Sequence, residues 1–168
     1  MSGVYTDIDT LRRSRGLWFA VAVLLSMWLF GNVYEELVTI VAVLAEPRPG
    51  AFPDALEPGS PVFYYLPWGP LGVALTVVLR LRFGAAVSAK VRRTWNTALV
   101  ALAIGVGAKV LLIVTVNPRF RDPSRSEMAV AADAVLWAFG NGLAIVGTAT
   151  ALALFALTRR PQPPAPRA

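Results

Sequence analysis

Four stretches of this chain run for the thickness of a bilayer with almost no charge. Residues 16–34, 58–79 and 134–158 contain no Asp, Glu, Lys or Arg, and 94–116 is broken only by Lys109. A hydrocarbon core about 30 Å thick is crossed by roughly 20 helical residues, so runs of this length read as membrane helices. Spans are expected at about 17–44, 66–83, 94–116 and 128–157. The predicted fold is all-α, an integral membrane antiparallel four-helix bundle forming one domain over residues 1–160. With 56% hydrophobic and 15% charged residues, the composition excludes a disordered chain. The proline-rich end, 161–168, is expected to be a flexible tail.

Charge placement gives the expected orientation. If four helices alternate, Arg12, Arg13 and Arg15, the cluster Arg80, Arg82, Lys90, Arg92 and Arg93, and finally Arg159, Arg160 and Arg167 fall on one side. The positive-inside bias puts that side, with both termini, in the cytoplasm. Richness in Ala, Arg and Pro points to a bacterium, hence to its inner membrane. Topology and anionic lipid account for the net charge of +6, so the bilayer is the expected partner and nucleic acid is not. A cleaved signal peptide is disfavoured, because the first apolar segment reaches Ala45 and contains Glu35 and Glu36. The first outer loop carries Pro47, Pro49, Pro53, Pro58 and Pro61, which exclude a regular helix. It ends in Phe63-Tyr64-Tyr65-Leu66-Pro67-Trp68, readable as an interfacial aromatic belt or as a lid over a site.

Ionisable groups inside hydrocarbon are expensive and need a partner or a purpose. Glu35 and Glu36 lie about 12–14 Å below the outer end of the first span, and Lys109 about 10 Å below that of the third. The three therefore share a slab, and an ion pair is the least costly way to keep them there. Asn32, Glu35, Glu36 and Thr39 follow one helical stripe, as do Asp133, Trp137, Asn141 and Thr148 on the fourth span. Three arrangements stay open: the carboxylates mark the end of the first helix with Lys109 snorkelling, the groups form a structural ion pair, or they line a functional pocket. Gly105, Gly107, Gly140, Gly142 and Gly147, with Ala101 and Ala138 four residues before two of them, are expected at close helix contacts.

The chain has neither Cys nor His, so redox metals and histidine-based triads are disfavoured, and no metal or other cofactor is expected. Carboxylate and amine acid–base chemistry remains, since burial beside apolar surface brings such groups toward working pH. Glu35, Glu36, Lys109 and Asp133 are the expected catalytic groups. Asn32, Tyr34, Asn141 and Trp137 are expected to contact substrate, under a roof of Tyr64, Tyr65 and Trp68.

The segments Ile113-Val114-Thr115-Val116-Asn117-Pro118-Arg119-Phe120 and Val135-Leu136-Trp137-Ala138-Phe139-Gly140-Asn141-Gly142, with the polar break Gly31-Asn32-Val33-Tyr34-Glu35-Glu36, resemble a small four-helix membrane family that includes the fungal anthrone oxygenases. The sequence departs from that pattern at Gly142 and Leu143, where a basic residue is expected. The resemblance implies a cofactor-independent oxygenase in which a base forms a carbanion on an aromatic, polyketide-like anthrone. It carries over to Asn117 and Trp137, with Arg119 beside them, as substrate-contacting positions. A proton-coupled exporter of small molecules and an accessory subunit are the alternatives, the latter packing through its glycine faces on itself or on a membrane partner.

Overall fold

Within the apolar runs little opposes helix, and a chain in hydrocarbon must satisfy its backbone groups internally. The structure is a computed structural model, and it describes residues 14–158 apart from 55, 56, 59 and 61. Arginines 12, 13, 159, 160 and 167, the tail 161–168 and the side chain of Tyr64 lie outside the described residues. The helices are α1 (Arg15–Ala45), α2 (Val62–Tyr65), α3 (Trp68–Phe83), α4 (Ala89–Thr115), α5 (Asn117–Phe120) and α6 (Glu127–Leu157). Among the described residues no strand occurs. Ser88 and Ser126 cap α4 and α6, each accepting a backbone N–H from three residues on.

The four long helices form an antiparallel all-α bundle. Trp95 meets Phe155 and Leu112 meets Gly140 along α4 and α6, while Gly69 and Gly72 of α3 sit on Trp28 and Leu25 of α1. Small residues set these spacings. A Cβ added at Gly147 would lie 2.5 Å from the Ala101 carbonyl oxygen, and one at Gly105 would lie 3.1 Å from Ala144 Cα. At Gly107 and Gly142 nothing would lie within 4 Å, so these two glycines are not helix-contact positions as the spacing predicts.

Three helical rods, Arg15–Ala45, Ala89–Phe120 and Glu127–Leu157, are long and apolar enough to cross a membrane. The second predicted span begins two residues later than expected: α3 has 16 residues, about 24 Å of rise. Large apolar side chains such as Phe19, Phe30, Leu37, Val114 and Phe139 face outward, whereas Asn32, Thr76, Asn141 and Thr148 are buried. That inside-out distribution suits apolar surroundings.

Two apolar cores fill the bundle. One, near the basic end formed by Arg80, Arg82 and Lys90, holds Trp28, Leu79, Trp95 and Phe155. The other, near the loop end, holds Ile40, Leu112, Phe120, Val130 and Trp137. Along the chain, Asn32, Glu35, Lys109 and Asn141 fall between the two cores. At this level α1 loosens: Glu35–Ile40 is a π-helical turn. The buried positions of α1 show why, stepping by three and four through Leu25, Trp28 and Asn32 to Glu35, then by five to Ile40. Turns of this kind recur at functional sites.

Candidate functional site

The polar layer is one connected network. The Lys109 ammonium pairs with Glu35 Oε2, and both side chains are buried, at 4% and 0% exposure. Lys109 Nζ also donates to Asn141 Oδ1 at 2.9 Å. Asn141 Nδ2 donates to Glu36 Oε2 and to the Asn32 carbonyl, each at 2.9 Å, and Asn32 Nδ2 donates to the Trp28 carbonyl at 2.8 Å. The slab expected from helical depth therefore exists, and the ammonium does not snorkel. Antiparallel register puts Asn141 opposite Lys109 because Gly140 seats Leu112 and Gly105 seats Ala144.

Two aromatic rings close on the ammonium, Tyr65 with its centroid 4.6 Å from Nζ and Trp137 with its centroid 4.8 Å away. Both are placed for cation–π attraction. Burial, and then the Glu35 carboxylate, push the Tyr65 phenol above its ordinary pKa, so this ring stays neutral. The second oxygen of Glu35, the side-chain oxygen of Asn32 and the indole N–H of Trp137 are buried without a hydrogen bond. Trp137 lies near enough to Glu35 to act on its carboxylate while missing standard hydrogen-bond geometry.

The structure thus brings together Asn32, Glu35, Glu36, Tyr65, Lys109, Trp137 and Asn141. Asp133 is a different site. It lies eight residues before Asn141 on α6, about 12 Å toward the loop end, and is paired there by Arg119 (3.1 Å) and by Arg125. Arg119 serves this second cluster and not the first. Asn117 is buried at the start of α5, its side-chain oxygen unpartnered. Tyr34 is exposed and stacked on Phe30 with centroids 6.5 Å apart, because the turn that points Glu35 inward points its predecessor out. Trp68 packs half-buried against the basic-end core and is not part of a roof over Lys109. Thr148 bonds the Ala144 carbonyl at 2.8 Å, deeper than the network.

A recess of about 230 Å³ opens at the loop end, lined by Ala42, Val43, Ala51, Phe52, Phe120 and Val130, with the Glu46 and Arg48 ion pair at its rim. The loop over it is strapped down by Arg121, which donates to the Pro53 carbonyl at 3.0 Å and lies 3.4 Å from Asp54. Gly50, at φ +72°, makes the turn beside Pro123. Phe52, Phe120 and Arg125 carry no sequence pattern that marks them, since each finds its partner through tertiary contact. Among the described residues no group of three or more Asp and Glu is placed to hold a metal ion. Comparison with family models, with curated proteins and with solved structures finds no match to the chain.

Proposed function

We propose that the chain is a small protein crossing a bacterial plasma membrane several times, its basic end cytoplasmic, and that the buried network performs acid–base chemistry on a hydrophobic small molecule. The observation that carries this reading is the division of labour between the carboxylates. Glu35 is held by the Lys109 ammonium, whereas half-buried Glu36 accepts only the neutral amide of Asn141 among its described hydrogen bonds. Glu36 is then the base: its carboxylate takes the proton of an acidic C–H or phenolic O–H and becomes the carboxylic acid. The anion left on the substrate is stabilised by Lys109, and Asn141 keeps both groups in place. The anthrone resemblance names one such reaction, in which a carbanion formed this way meets dioxygen. A cationic cargo for an exporter would compete with Lys109 for Glu35, which favours the enzyme over that alternative.

The test is conversion of an acidic-CH aromatic, an anthrone first, by the protein in lipid nanodiscs, with products followed by mass spectrometry. Glu36→Gln and Lys109→Met, if present as folded protein, each lose about 10²-fold or more in turnover, the scale of one general acid–base group. Turnover unchanged in both variants removes the reading. pH-dependent movement of an unaltered molecule across vesicles replaces it with transport.

A further inference from the structure

The recess and the buried network are separated by very little. The Phe52 ring centroid lies 5.1 Å from that of Phe120, Phe120 lies 6.0 Å from Trp137, and Trp137 lies 4.8 Å from Lys109 Nζ. Phe52 and Phe120 line the recess, so a single indole stands between its inner wall and the ammonium. We propose that this recess is the binding and access site for a hydrophobic ligand of one or two rings, with Phe52 as the gate, Phe120 as the inner wall and Trp137 behind that wall. The inference rests on the acid–base reading of the network and adds the route and the ligand class.

Three features support it. The inner wall is apolar, Phe120 and Val130 being buried, and about 230 Å³ falls below the roughly 300 Å³ at which pockets for drug-sized ligands begin. The outer wall belongs to the loop, where the Arg121–Asp54 pair has Asp54 76% exposed. An exposed pair of this kind holds weakly, so the Arg121 hydrogen bond to the Pro53 carbonyl and the Phe52–Phe120 ring contact are what keep Phe52 closed. Beyond the indole, the Trp137 N–H and the second oxygen of Glu35 are buried without hydrogen bonds. The two lie near each other, so a ligand hydroxyl that passes the rings would bridge them, accepting from the indole and donating to the carboxylate.

The chain supplies its own reporter, because Lys90 and Lys109 are its only lysines. Phenyl isothiocyanate is a one-ring electrophile that couples to amines, and peptide mass spectrometry gives the labelling rate of Lys109 relative to exposed Lys90. Phe52→Ala, a loop change, raises that ratio about tenfold, the weight of one ring-on-ring contact. Ala51→Trp, which fills the recess, lowers it. Gly107→Leu, on the outward face of α4, leaves it unchanged. A ratio indifferent to either recess variant, or moved as much by Gly107→Leu, overturns the route. The two readings fail separately: loss of turnover in Glu36→Gln with recess-indifferent labelling removes the route alone, and gated labelling with no loss of turnover removes the chemistry alone.

Discussion

Lys109 has three donors, of which Glu35 and Asn141 take two, while Tyr65 and Trp137 offer ring faces to the ammonium. A buried ion pair contributes little when compared with apolar residues of the same volume, yet removing one partner strands the other. Lys109→Met is therefore expected to cost about 3–5 kcal/mol, and adding Glu35→Leu to recover most of it. Denaturant titration of Lys109→Met, Glu35→Leu and the double variant checks this, and a double-variant loss equal to the sum of the two single losses would mean that the charges are not coupled. Asp133 obeys the same rule with a different answer, since two guanidinium groups, 48% and 32% exposed, come to one buried carboxylate. Long arginine stems reach that carboxylate from a short helix and a turn, which residue spacing along α6 does not disclose.

At the scale of elements, close approach is decided by where a glycine faces. Gly105 and Gly147 admit the backbone of the neighbouring helix, while Gly107 and Gly142 face open space. Gly147→Leu is expected to lower stability by about 1–3 kcal/mol through overpacking and to pull Asn141 out of reach of Lys109. Gly142→Leu should leave the melting temperature in detergent unchanged. A loss at Gly142 equal to that at Gly147 would place the helix contact on the wrong face. The π turn of α1 acts at the same scale. By winding less per residue than an α-helix, it keeps Glu36 near the face that carries Glu35, so one acid reaches the Lys109 ammonium while the other reaches the Asn141 amide.

For the molecule as a whole, apolar side chains outside and amides and charges inside match a bilayer setting, and the basic residues divide the two ends. The chain has no cysteine, so single thiols report sidedness without background. Ala51→Cys should react with a membrane-impermeant maleimide in intact cells, and Ala86→Cys only after permeabilisation. The reverse pattern would invert the orientation and place the recess on the cytoplasmic side. Ser124 donates to Asp122 from its hydroxyl at 2.6 Å and from its backbone at 2.9 Å, which holds that carboxyl below its ordinary pKa and fixes the turn bearing Arg121 and Arg125.

The sequence by itself determined the helices, because hydrophobic runs of bilayer length and the Ser88 and Ser126 caps act locally. It also determined the common depth of Glu35, Glu36 and Lys109, because rise per residue is constant along a helix. Only the tertiary structure decided which groups at neighbouring depths meet. Packing at Gly105, Gly140 and Gly147 fixed the rotation and register of α4 against α6, which brought Asn141 to Lys109 and left Asp133 to Arg119 and Arg125. The π turn and the recess beneath Phe52 were likewise illegible along the chain. Each arises where separate segments settle against one another, and no periodicity within a single segment encodes that contact.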